Sequence, residues 1–104
     1  PADGGKWGAC HGLDIPLVFG TLDASESLTG SGADAQSVSR QVGDAFLAFA
    51  RAGNPNHTGL PEWRPYRLEE RATMILDLQS RLVNDPRREE RRLFEKVPFI
   101  QQGT

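Results

Sequence analysis

His11 lies in GACHGLDIPLVFG, residues 8–20, between small residues and just ahead of an apolar run. An imidazole titrates close to neutral pH, so it can take a proton and return it during general acid–base catalysis. Gly8, Ala9 and Gly12 put little bulk around the ring, which lets a reacting group come close. The same openness suits an ordinary loop, and this stretch by itself does not separate the two. The other chemically able side chains are fewer and less well placed. Cys10 adjoins His11, but neighbouring residues rarely point at one another, so it reads as a buried small residue rather than half of a Cys-His pair. His57 sits in NPNHTG, bounded by proline and glycine, and reads as a solvated surface residue. Ser25 and Ser27 fall in an acidic loop without the sharp strand-to-helix elbow that a nucleophilic serine needs. One cysteine and two separated histidines do not supply the ligand spacing of a zinc site, so no metal and no cofactor is predicted.

The elements that would position these groups follow from spacing and punctuation. Residues 1–12 read as loop, with Gly4, Gly5, Gly8 and Gly12 leaving no period. Asp14 can cap a short helix whose first turn holds Pro16; Ile15, Val18 and Phe19 then share a face, and Gly20 ends the segment. A short buried strand fits the same residues, and so brief a run has no decisive periodicity. DASESLTGSGADA, residues 23–35, reads as a surface connection. Beyond it, Val38, Val42, Ala45, Phe46 and Phe49 recur every three or four residues and predict a helix over 34–52. Gly53 supplies a left-handed stop there, and Asn54-Pro55 prevents continuation. The proline-rich stretch 53–72 reads as extended loop, with Trp63 and Tyr66 as anchors that pin it to a surface. ATMILDL predicts a strand over 72–78 with both faces partly covered. Asn84-Asp85-Pro86 then reads as cap and first-turn proline of a helix over 86–96. Its RREERR run is a solvated charged face, and Leu93, Phe94 and Val97 form a narrow apolar edge.

The totals narrow the partners. The 104 residues carry a net charge of −2, which recommends neither nucleic acid nor an anionic membrane surface. Apolar runs such as IPLVF and MIL are too short to span a bilayer. A lone cysteine fits a reducing compartment, so a cytoplasmic location is expected, with secretion left open. The chain opens on loop-like PADGGKWGACHG without an initiator methionine, and one strand cannot satisfy its own backbone hydrogen bonds. Both features predict a piece of a longer α/β protein whose other strands lie elsewhere.

Five stretches, in order, resemble the C-terminal portion of the type-B carboxylesterases, the cholinesterase-like branch of the α/β hydrolases. They are GACHGLDIPLVFG, FARAGNPN, LPEWRPY, ATMILDL and NDPRREERRLF, and they are spread over residues 8–94, nearly the whole length of the chain. The resemblance implies the C-terminal segment of an α/β-hydrolase fold, with a long helix, a late sheet strand and a terminal helix, rather than a complete domain. It implies that residues 1–104 carry the catalytic-histidine loop and that His11-Gly12, ahead of Asp14, is the family's histidine-glycine pair. That histidine is the general base of a Ser-His-acid triad, which moves the serine proton during attack on an ester carbonyl. The nucleophile elbow Gly-x-Ser-x-Gly does not occur in the 104 residues, and neither does a Gly-rich oxyanion segment. Asp14 follows His11 too closely to serve as the acidic partner. The serine, the acid and the oxyanion hole are therefore expected from the rest of the hydrolase chain, with a small-molecule ester as substrate. The chain alone is expected to be inactive. A second class, a non-catalytic cholinesterase-like binding protein, requires the same fold with the upstream serine lost.

Overall fold

The computed structural model describes residues 2–24 and 28–98. A 3₁₀ turn at Ala2–Gly5 leads through a loop to α1 (Asp14–Phe19) and then to α2 (Ala33–Ala52). A long loop follows, then strands β1 (Ala72–Ile75) and β2 (Arg81–Asn84), and finally α3 (Arg88–Phe94).

Helix α2 forms where the period of three and four placed it. Asp34 in its first turn and Arg51 in its last complement the helix dipole. Gly53 adopts φ 68°, a left-handed conformation that glycine reaches without a Cβ penalty, and its N–H donates to the Phe49 carbonyl at 2.7 Å. Val42 and Ala45 are buried, whereas Phe46 and Phe49 on the same stripe are more than half exposed. The stripe also contains small residues that periodicity did not single out. Ser39 and Gly43, one turn apart, meet α1. The Ser39 hydroxyl donates to the Leu17 carbonyl at 2.7 Å, and a Cβ on Gly43 would lie 3.3 Å from the Val18 carbonyl oxygen.

The expected lone strand is instead one arm of a hairpin. β1 stops at Ile75, and β2 pairs with it antiparallel, Ala72 opposite Asn84 and Ile75 opposite Arg81. Residues 76–78 belong to the connection, because Asp77 and Ser80 close a tight loop there: the Asp77 N–H donates to the Ser80 hydroxyl at 3.1 Å. Short, charged RLVN lacks the apolar alternation that would have announced a partner. Ala72 and Met74 are buried and Thr73 and Ile75 half-buried, so both faces of β1 are partly covered.

Helix α3 is shorter than expected, and Asp85 is not its cap. The Asp85 N–H is taken by the Arg71 carbonyl at 3.1 Å, which closes the base of the hairpin and puts Asp85 at φ 49°. From that left-handed position its carboxylate accepts from the side chains of Arg88 and Arg91, and Arg87 becomes the residue before the helix. At α1 likewise, Asp14 is the first helical residue and makes no capping bond; Leu13 precedes it. The connection over 23–35 is not wholly superficial, since Thr29 is buried, as is Leu22 just before it.

Candidate functional site

The His11 turn is built by its glycine. The Leu13 N–H donates to the Cys10 carbonyl at 3.3 Å, which closes a four-residue turn with His11 and Gly12 at the centre. Gly12 has φ 79° and His11 is not among the positive-φ residues, the combination of a type II turn, which requires positive φ at its third position. The Ile15 N–H then donates to the Gly12 carbonyl at 3.3 Å, so the turn runs directly into α1. His11 therefore stands at the outer corner of a turn held at the N-terminal end of a helix.

Its side chain is exposed, and among the described residues it has no hydrogen-bond or ion-pair partner. Beside it opens a pocket of about 270 Å³, lined by His11, Leu13, Ile15, Pro16, Thr21 and Leu28. An imidazole at the rim of a small pocket of mixed lining is suited to passing a proton to and from a group bound there. Among the described residues no second catalytic group accompanies it. Asp14 is taken up as the first residue of α1, Cys10 is half-buried rather than buried, and Ser25 and Ser27 lie outside the described residues. Among the described residues no three His, Cys, Asp or Glu side chains converge as a metal site would require.

His57 differs from its sequence reading. The ring is half-buried, the Gly59 N–H donates to Nδ1 at 3.0 Å, and Nε2 lies 3.1 Å from the Gln41 carbonyl on α2. With Nδ1 accepting, Nε2 is left to donate to the Gln41 carbonyl, and the ring fastens the loop to the helix. Asn56 instead closes the loop on itself. Its side-chain oxygen accepts from the Trp63 N–H at 2.6 Å, and its Nδ2 donates to the Trp63 carbonyl at 2.9 Å. Trp63 is half-buried and lines a groove with Phe46 and Phe49 of α2, and His57 adds a polar tie from the loop to that helix. Tyr66 remains more than half exposed, with its hydroxyl accepting from Arg71. The polar clasps were missed because Asn and His in a Pro-Gly loop are also what any solvated turn contains.

Comparison with known proteins places this arrangement among the α/β-hydrolase esterases. The sequence model of the Carboxylesterase family matches residues 3–94, and the chain belongs to that family. It is 36% identical over 85 residues to a para-nitrobenzyl esterase of Bacillus subtilis (strain 168), a match that covers 80% of this chain and 17% of that protein. A phenmedipham hydrolase of Pseudarthrobacter oxydans is 32% identical over 83 residues, covering 73% of this chain and 16% of that protein. Among solved structures, a thermophilic para-nitrobenzyl esterase superposes with a TM-score of 0.72 at 34% identity, over 79% of this chain and 17% of its own. A Geobacillus stearothermophilus carboxylesterase gives 0.70 at 32% identity, over 81% of this chain and 18% of its own. The chain therefore spans less than a fifth of the length of these relatives.

Proposed function

We propose that residues 1–104 form the C-terminal part of a serine carboxylesterase domain and contribute His11 as the general base. The observation that carries this is the exposed imidazole at the corner of the Cys10–Leu13 turn, beside a small pocket and without a partner among the described residues. A base that must reach a serine on another element needs this freedom of approach, and the similarity to esterases supplies the reaction class. In this reading His11 accepts the serine proton as the hydroxyl attacks the ester carbonyl. It then protonates the departing alcohol, and it repeats both transfers with water to release the acid from the acyl-enzyme. The serine, the acidic triad member and the oxyanion hole come from the remainder of the hydrolase. The single cysteine agrees with a cytoplasmic enzyme.

The test is His11→Ala in the complete protein, assayed on para-nitrophenyl butyrate. Loss of a general base costs on the order of 10²–10⁴ in rate, and loss of a triad member can cost more. Circular dichroism is expected to be unchanged, because the exposed ring packs against little. Turnover close to the parent would remove His11 from this role, and absence of a serine from the upstream elbow would instead support a non-catalytic binding protein.

A further inference from the structure

Helix α1 has six residues, none of them buried, yet it carries the His11 turn at its N-terminal end. Something outside α1 must hold it in place. At its C-terminal end Gly20 turns left-handed at φ 67°, and the N–H groups of Gly20 and Thr21 both go to the Pro16 carbonyl. Thr21 would otherwise serve the Leu17 carbonyl, which is left as one of the orphan acceptors of a helix end. The Ser39 hydroxyl, only 8% exposed on α2, satisfies that carbonyl at 2.7 Å. One turn further along α2, Gly43 leaves just enough room for the Val18 carbonyl, 3.3 Å from where a Cβ would stand.

From this geometry we infer that Ser39, with Gly43 beside it, is a positioning residue for the His11 base. It fixes where α1 sits on α2 and so where the turn presents the imidazole. The chain of contact is short and directional: the α2 hydroxyl to the α1 carbonyl, α1 to the Gly12 carbonyl through the Ile15 N–H, and the turn to His11. Without the hydroxyl the Leu17 carbonyl has no partner on α2, and α1 is free to slide along a face of small residues. Proton transfer is sensitive to such a slide, since a misplacement of about 1 Å can cost on the order of 10²-fold in rate. This inference rests on the reading of His11 as the base.

The test is a set of variants in the complete esterase, measured with para-nitrophenyl butyrate. Ser39→Ala is expected to lower kcat roughly 3- to 30-fold with KM within about twofold, since the partial misplacement is smaller than the full case. Gly43→Ala is the second variant. Alanine forms helix better than glycine, so melting temperature is expected to hold or rise while kcat falls. A role confined to stability would not separate the two readouts in that way. In a His11→Ala background, Ser39→Ala is expected to cause no further loss of the residual rate, because its effect passes through the imidazole. Parental kcat in folded Ser39→Ala or in Gly43→Ala, a change confined to KM, or an equal loss in the His11→Ala background would overturn the assignment. If His11→Ala itself keeps parental turnover, the base assignment fails first, and Ser39 loses its role with it.

Discussion

The two histidines show how differently one side chain is used. His11 is exposed at a turn corner with no partner among the described residues, whereas both ring nitrogens of His57 are engaged, one by the Gly59 N–H and one by the Gln41 carbonyl. The consequences of removing them should cross. His11→Ala is expected to abolish most turnover at unchanged stability. His57→Ala in the complete protein is expected to leave turnover unchanged and to lower unfolding free energy by about 1–2 kcal/mol, the usual range for two partly exposed hydrogen bonds. Denaturant midpoints and kcat for both variants check this, and a loss of kcat in His57→Ala without a shift in midpoint would contradict it. Gly59 belongs to the same clasp, because a Cβ there would come within 2.8 Å of the His57 ring.

At the level of elements, the hairpin and α3 are joined by one carboxylate. Asp85 accepts from Arg91 at 2.7 and 3.0 Å and from Arg88 at 3.2 Å, and Arg91 also pairs with Glu95. The hydrogen bond from Arg91 is the main cause that draws the Asp85 pKa down to about 2, partly opposed by desolvation and reinforced by Arg88. A carboxylate depressed in the folded state stabilises that state above its unfolded value, here 3.8, and loses the contribution as pH falls toward about 2. The stability difference between the parent and Asp85→Asn is therefore expected to be constant from neutral pH down to about 4 and to close between there and about 2. Denaturant midpoints at several pH values measure it. A difference that stays constant through that window would mean that the ion pair does not join the two elements.

For the molecule as a whole, the surface is too large for its size. Its accessible area is 8188 Å², whereas a compact monomer of this mass exposes about 5,800 Å². The radius of gyration is 16.2 Å, against about 13 Å for a compact domain of this length. Among the described residues no large side chain is fully buried, while Phe19, Phe46, Phe49, Leu68, Leu93 and Phe94 are all more than half exposed. A groove of about 630 Å³ between α2 and the 54–66 loop is lined by Phe46, Phe49, Trp63 and Tyr66 and has no cover among the described residues. Such faces do not offset the chain entropy of folding, and they favour association. The chain on its own is expected to melt with low cooperativity, to bind hydrophobic dyes, and to show no esterase activity, because no Gly-x-Ser-x-Gly elbow or Gly-rich oxyanion segment occurs in its sequence. A sharp two-state melt of monomer with dispersed amide resonances would show that these residues close a core of their own.

How much of this was legible without coordinates depends on the range of the forces involved. Helix α2 and its glycine stop were readable because side-chain period and left-handed φ are properties of neighbours in sequence. The turn that presents His11 spans only four residues, yet its glycine-rich sequence read as plain loop, and His11-Gly12 stood out only by resemblance to the esterases' histidine-glycine pair. Strand β2 was not readable, because RLVN has no period of its own and becomes a strand only by pairing with β1. Asp85 read as a helix cap and instead holds two arginines, since the carbonyl of Arg71, fourteen residues away, had already claimed its backbone. Ser39 and His57 acquired their parts in the same way: each donates to a carbonyl at least sixteen residues away. Local propensity determined helix α2 and the glycine stops of α1 and α2. Which polar group satisfies which distant carbonyl was decided only when burial removed water as the alternative partner.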